Sequence, residues 1–372
     1  MLKFNKNGEF KILLFGDLHE KDDYESNPKF KDMQKLMRAA LEQYNPDICV
    51  FLGDICSSSL AKENPEAFSN MLSAIVAPLK QRGIPVYCIM GNHEHDPGID
   101  KILLEAYKAT DGVIMDNMHP LDGDYADYYE LVYSSDGKRP VINLWMLDSN
   151  NLYPDKKISN YDFVHTNQLD WFEKTSEELK KLNYSKPIPS FIFQHIPVPE
   201  EYELLRKPRF WEIPVSVKGH NTREKNRYVL KKGCEGYLGE GPCAPDFNNG
   251  QFAVWKKVGG VMGAFFGHDH LNDFSGFVDG IYLAQHKTAG FRCYTDGCRS
   301  CVRLITVNEK EPQSFKCELK HFKEFGLKCE SLGPVFKRIS DRQSFYLNLL
   351  FKSLGAIAGA GVLIAAAKYF FG

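Results

Sequence analysis

The sequence lacks most of the features that would set it apart from ordinary globular proteins. Neither sign of charge dominates: 46 lysines and arginines face 48 acids, giving a net charge of -2 and a pI of about 6.6. That balance argues against a general nucleic-acid binder, which needs a basic surface to displace counterions. Ten cysteines in 372 residues do not make a disulfide scaffold. A chain of this length buries roughly three quarters of its unfolded surface and needs no staples. Cys49 and Cys88 sit inside apolar runs, where a thiol acts as a small core residue. No secretory leader is legible: MLKFNKNGEFKILLFGD is charged through Lys11, and its short apolar run leads straight into a polar motif. A reducing compartment is therefore expected. Internal repeats and low-complexity tracts are missing. The apolar and charged fractions, 43% and 25%, exclude disorder, collagen and coiled coil as the main architecture.

What is present is an alternation of strand and helix signals. KILLFG (11–16) is a short apolar run ending in Gly-Asp. Residues 31–44 then carry Met33, Leu36, Met37, Ala40, Leu41 and Tyr44 at helical spacing, stopped by Asn45-Pro46. ICVFL (48–52) again runs into Gly-Asp, and residues 65–80 repeat the helical pattern up to Gly83. PVYCIM (85–90) runs into Gly-Asn-His. Strand, helix, strand, helix, strand predicts a parallel sheet with right-handed crossovers. INLWMLD (142–148), SFIFQH (190–195) and GAFFGHDH (263–270) likewise end in polar residues. In open α/β sheets the carboxyl edge of the strands is where ligands bind. The runs 282–286, 301–307 and 314–322 have no helices between them and predict antiparallel strands closing a second sheet. Residues 200–250 show little periodicity and many Gly, Pro, Lys and Arg. An irregular stretch of that length reads as a loop structure near the mouth of a site.

The chemistry lies in Asp17-x-His19, Gly53-Asp54, Gly91-Asn92-His93-Glu94, Gln194-His195 and Gly267-His268-Asp269-His270. Each follows an apolar run. A lone histidine after a strand is usually structural, and a Gly-Asp pair is usually a turn. Five such items in one chain, each at an expected strand end, point to a shared site. Imidazole, carboxylate and amide oxygen form a mixed donor set that suits Mn, Fe or Zn rather than Ca or Mg. No cysteine is among these donors, so a structural zinc knot is not expected. Seven donors exceed one tetrahedral ion and suit two, with one carboxylate shared. Two divalent ions with two carboxylates and one hydroxide leave about +1, which favours an anion such as phosphate.

The order D-x-H, G-D, G-N-H-E, H, G-H-x-H resembles that of the calcineurin-like metallophosphoesterases, over about residues 11–290. QHIPVPEEYELL (194–205), CAPDFNNGQF (243–252) and FFGHDHLNDFSG (265–276) resemble the non-purple, intracellular-type relatives of purple acid phosphatases. The resemblance implies an α/β (α+β) fold. It would be a four-layer sandwich of two mixed β-sheets flanked by helices, with a dinuclear metal site at the carboxyl ends of the strands. Asp17, His19 and His270 would bind the first metal, Asn92, His195 and His268 the second, and Asp54 would bridge them. A metal-bridging hydroxide would attack phosphorus, and His93 would protonate the leaving group. Glu94 would orient His93, since a carboxylate partner fixes an imidazole. The resulting expectation is a metal-dependent phosphoesterase, a phosphomonoesterase first and a diesterase or a silent metal-binding scaffold second. Its substrate would be a phosphorylated small molecule, a lipid headgroup or a phosphoprotein. Ser57 stands where purple enzymes have tyrosine, so no purple colour is expected.

Other residues are read as structural. His95, His165, His220 and His286 are expected on the surface or in packing, with His286 the one able to approach the site. Asp269 should point away from its ligand neighbours, and Asp273 reads as a turn or cap residue. Cys298-x-x-Cys301 reads as surface thiols, and Cys234 with Cys243 could pair if oxidised. These readings divide the chain into a catalytic domain (8–322, with the insert 200–250), a basic linker (323–343) and a hydrophobic segment (344–372). LGAIAGAGVLIAAA (354–367) is uncharged. Extended to Gly372 it would give about 28 Å of helix, close to a bilayer core of roughly 30 Å. Lys337, Arg338, Arg342 and Lys352 precede it, so the positive-inside rule predicts a C-terminal membrane anchor with the catalytic domain facing the cytosol. Gly355 and Gly359 would permit helix pairing in lipid.

Overall fold

Strand formation follows the apolar runs closely, because a run of β-branched and aromatic residues can be buried on both faces. A computed structural model describes residues 1–118, 126–295, 297–333 and 349–361. In the first sheet Glu9–Phe15, Ile48–Phe51, Val86–Cys88 and Val113–Ile114 lie parallel, in that order. The intervening helices are set by their caps. Asn27 accepts from the Lys29 amide and Pro28 occupies the first turn, so Pro28–Tyr44 begins three residues before the periodic signal. Asn45 closes it in the left-handed conformation. Asn64 caps Pro65–Lys80 in the same manner.

The second sheet has the order Leu2–Lys3, Tyr128–Tyr133, Pro140–Met146, Ser190–Gln194, Val261–Phe266, Ile281–Gln285, Ser275–Val278. Here the expectation for the late strands needs correction. Ile281–Gln285 runs parallel to Val261–Phe266 in this sheet, whereas Cys301–Asn308 and Phe315–His321 form a hairpin that extends the first sheet through Glu9–Phe15. The three runs do not share one sheet. Each is an amphipathic or apolar strand, and local pattern does not say which edge it joins.

Two mixed sheets thus face each other, with helices outside both. One core fills the space between them and beneath the N-terminal helices, with Phe15, Phe51, Phe191, Phe193 and Phe265 fully buried. The other lies on the outer face of the second sheet, where Trp145 meets Trp171 and Phe172 of helix Thr166–Lys180. Residues 200–250 contain three short strands, Leu205–Arg206, Val217–Lys218 and Arg227–Leu230, paired antiparallel. Lys323 to Phe325 lie in a short 3-10 turn; the rest of the expected basic segment from residue 334 lies outside the described residues. Of the expected anchor, 349–361 is helical and exposed, while 344–348 and 362–372 lie outside the described residues. No helix among the described residues is long and apolar enough to cross a membrane.

Candidate metal centre

The parallel strands Glu9–Phe15, Ile48–Phe51 and Val86–Cys88 of the first sheet and Ser190–Gln194 and Val261–Phe266 of the second each end in one of the motifs, and the seven expected donors gather beyond their carboxyl ends. Asp54 is common to two groups of close donors: Asp17, Asp54 and His195, and His19, Asp54 and His93, each within 4.8 Å of one another. The Nε2 atoms of His19 and His270 are 3.0 Å apart. Asp54 Oδ2 lies 3.6 Å from His19 Nε2 and 3.2 Å from His195 Nε2. Asn92 Oδ1 lies 3.1 Å from His195 Nε2, and Asp17 Oδ1 3.6 Å from His270 Nε2. Ligand bonds of about 2.1 Å at tetrahedral or octahedral angles put neighbouring donors roughly 3.0–3.4 Å apart, so the spacing fits bound ions.

The histidine tautomers fit as well. His195 Nδ1 donates to the Leu52 carbonyl at 2.7 Å and His270 Nδ1 to that of Tyr294 at 3.1 Å. Each thereby turns an Nε2 lone pair toward the centre. His268 is buried, and its Nε2 has no hydrogen-bond partner among the described residues. A buried imidazole nitrogen left without a partner is costly, and a cation would satisfy it.

The backbone is strained at the same place. Asp17, His19, Asp54 and His268 all have positive φ, between 49° and 75°, a region that costs non-glycine residues energy. The glycines before the ligands permit close approach. A Cβ on Gly53 would come within 2.7 Å of the Gly91 Cα and of His195 Nδ1, and one on Gly91 would overlap the Asp54 carboxylate. Glu94 is buried and ties these loops together, accepting from the amides of Asp54, Ile55 and Gly91 at 2.8–2.9 Å. It therefore does not orient His93, as the sequence led us to expect. Asp96, three residues on, does so, accepting from His93 Nδ1 at 2.5 Å.

Comparison with known proteins bears on this geometry. Residues 10–272 match the model of the family described as calcineurin-like phosphoesterase. This chain belongs to the calcineurin-like phosphoesterase family. Among curated proteins it is 26% identical over 341 residues to "Probable inactive purple acid phosphatase 29" of Arabidopsis thaliana, covering 83% of this chain and 80% of that one. It is 28% identical over 327 residues to "Probable inactive purple acid phosphatase 14" of the same plant, covering 79% and 73%. Among solved structures, a dimetal phosphatase from Danio rerio aligns over 84% of this chain and 99% of its own, at 13% identity and a TM-score of 0.49.

In this member of the family the buried charges are distributed unevenly. Burial holds the Asp17 carboxyl well above the usual range, against the pull of His195. Burial acts on Asp54 too, yet His195, His19 and His93 around it hold its carboxyl well below that range. His93 is half exposed, its Nε2 4.0 Å from Asp54 Oδ2. It stands between two openings. One is a cleft of about 220 Å³ walled by Asn92, Tyr161, Cys243, His268 and Tyr294. The other, of about 510 Å³, is walled by Lys21, Ser57, Ser58, Ser59, Arg292 and Cys293.

The remaining expectations divide. His165 pairs with Asp162, and His286 is buried between the carbonyls of Leu14 and Lys287, away from the donors. His95 is nearly buried between Asp148 and Asp100. Asp269 turns away from the donors to the Cys243 amide and Asn272. Asp273 is no simple cap: it is buried and faces Lys287, Arg299 and His321 at 3.0–3.3 Å. Cys298 and Cys301 are buried rather than superficial, and Cys234 and Cys243 are not joined in a disulfide. The sequence reading missed Tyr161, whose ring edges onto His268 at 4.3 Å. It also missed Cys293, which groups with His19 and His270 within 4.8 Å. Neither carries a local signal, since Cys293 sits in a loop 23 residues beyond His270.

Proposed function

We propose that this chain is a two-metal phosphoester hydrolase acting on phosphomonoesters. The observation that carries the reading is the position of Asp54 beside an open cleft, its Oδ2 3.6 Å from His19 Nε2 of one proposed set and 3.2 Å from His195 Nε2 of the other. Asp17, His19, Asp54 and His270 would hold one ion, and Asp54, Asn92, His195 and His268 the other. Bound as a pair, such ions supply Lewis acidity and an activated water to a phosphoester. Manganese, iron and zinc all suit these donors.

The protein's own groups do the rest. Asn92 Oδ1 and His195 Nε2 lie 3.1 Å apart with lone pairs on both, a spacing that suits two donors turned to the same ion. His93 reaches into the cleft from the loop fixed by Glu94. Its Nδ1 proton is held by Asp96, and Nε2 can pass a proton to a departing alkoxide. Lys21 and Ser57 to Ser59 in the adjoining opening favour a polar leaving portion, Arg292 there being paired with Glu20 and Asp23, and the opening admits a group larger than phosphate alone.

The names of the two plant relatives include "inactive", which favours a second reading, a silent metal-binding scaffold. One experiment separates the two. The full chain in detergent, loaded with manganese, is assayed on a chromogenic phosphomonoester and the matching diester beside His93→Ala. The expected result is monoester turnover that falls about 10²–10⁴-fold in the variant, with metal content unchanged. Two ions per chain without turnover of either ester would sink the enzyme reading. Loss of metal in His93→Ala would show that the roles are divided wrongly.

A further inference from the structure

The irregular segment between the His195 strand and helix Gln251–Val258 departs from the charge balance of the chain. Residues 206–232 hold nine lysines and arginines against two acids, in a protein whose net charge is -2. Three of the nine are engaged: Arg206 with Glu212, Arg223 with Asp246, and Arg227 with Ser216. Lys207, Arg209, Lys218, Lys225, Lys231 and Lys232 are exposed. The turn Phe210–Val215, between two of the short strands, also exposes four apolar side chains: Phe210 at 79%, Trp211 at 59%, Ile213 at 48% and Val215 at 42%. The Phe210 and Trp211 rings meet edge to face at 5.0 Å, and the Arg209 guanidinium lies 5.4 Å from the Trp211 ring. Water-exposed apolar side chains grouped in this way mark a contact surface.

We infer that this insert docks on an anionic lipid surface. Trp and Phe beside Lys and Arg are the residues that settle at a bilayer interface, where the rings enter the headgroup region and the cations meet acidic lipids. Ile213, Pro214 and Val215 add aliphatic surface that would not stack on nucleic-acid bases, so a polynucleotide is the poorer fit. The insert is also joined to the site. His220 stacks on Tyr161 at 5.6 Å, and Tyr161 edges onto His268. Within the insert, Arg223 braces Asp246 and the Tyr202 ring, the latter at 4.5 Å, and the Asp246 amide donates to Ser159 Oγ outside it. Docking would therefore bring the cleft near the bilayer and its phosphoester headgroups. The inference rests on the phosphoesterase reading only for that consequence, not for the binding.

The test uses the full chain and vesicle sedimentation, with phosphatidylcholine alone and with about 30% phosphatidylserine. The variants are Phe210→Ser/Trp211→Ser and Lys207→Glu/Lys218→Glu. Each basic group near an acidic surface is worth about fivefold in binding. Wild type should thus bind the acidic vesicles at least about tenfold more tightly than the neutral ones, with the advantage lost in added salt. Both variants should lose that advantage. Trp fluorescence should shift to the blue on acidic vesicles, and Trp211→Phe should remove the shift. Equal binding to both vesicles, or variants that bind like wild type, would overturn the inference and leave any attachment to the C-terminal segment. Saturable capture of poly-glutamate or RNA in preference to acidic vesicles would also overturn it. Binding is read without hydrolysis, so failure here leaves the phosphoesterase reading standing, and an inactive protein could still dock.

Discussion

At the scale of the residue, the centre depends on groups that cannot be exchanged for near relatives. Gly91 precedes Asn92, a proposed ligand, and touches the Asp54 loop, where a methyl group would overlap the carboxylate. Gly91→Ala should therefore abolish binding of at least one ion, measured as metal per chain after gel filtration, while the circular dichroism of the sheets persists. Asp54 serves both donor groups, so Asp54→Asn should lower the affinity for both ions together, whereas His268→Ala should affect one first. Equal effects of the two would argue against the bridging position. Cys293 Sγ lies beside His19 and His270. Alkylation of this thiol should be several-fold slower in metal-loaded protein than after chelation. Mass spectrometry of the modified peptide measures this, and equal rates would place Cys293 outside the ligand sphere.

At the scale of the element, the loops after two of the strands are tied to each other through one carboxylate. Glu94 receives three backbone amides from two loops and the Tyr107 hydroxyl at 3.2 Å. Removing a buried acceptor strands its donors at about 1–3 kcal/mol. Glu94→Ala should cost at least about 3 kcal/mol by denaturant titration and should weaken metal binding as well. The motif made Glu94 and His93 legible as neighbours in sequence. It did not reveal that their side chains diverge, because the short helix Asn92–His95 sends adjacent residues to different faces. Likewise, the end of Pro28–Tyr44 was legible in Asn45-Pro46, whereas the sheet joined by Cys301–Asn308 was not.

At the scale of the whole molecule, a buried charge cluster joins the two sheets behind the metal centre. Asp273 lies beyond the second sheet's strand Val261–Phe266. It meets Lys287, Arg299 and His321, the last at the end of the first sheet's outer hairpin. Burial alone would raise the Asp273 carboxyl, yet His321, Lys287 and Arg299 hold it well below the usual range. A depressed carboxylate contributes stability that is complete above its unfolded value, near 4, and is lost as pH falls through the folded value. Asp273→Asn should thus lower stability at pH 7 by about 3 kcal/mol. Its melting temperature should fall less steeply than that of wild type below pH 4, as scanning calorimetry can measure. Parallel acid profiles would remove this cluster as a determinant of acid stability.

The sequence by itself determined the polar residues that end the strands, the order of the ligand motifs and the alternation of the first half. These follow from local composition: parallel strands must bring their carboxyl ends to one edge, so motifs far apart in the chain had to converge. Tertiary structure alone decided which sheet received the late strands, that Asp96 rather than Glu94 holds His93, and that Cys293 joins the donors. It also decided that the basic insert abuts the site through Tyr161. Each of these is a contact between side chains whose positions are set by packing of distant elements, and no spacing along the chain encodes it.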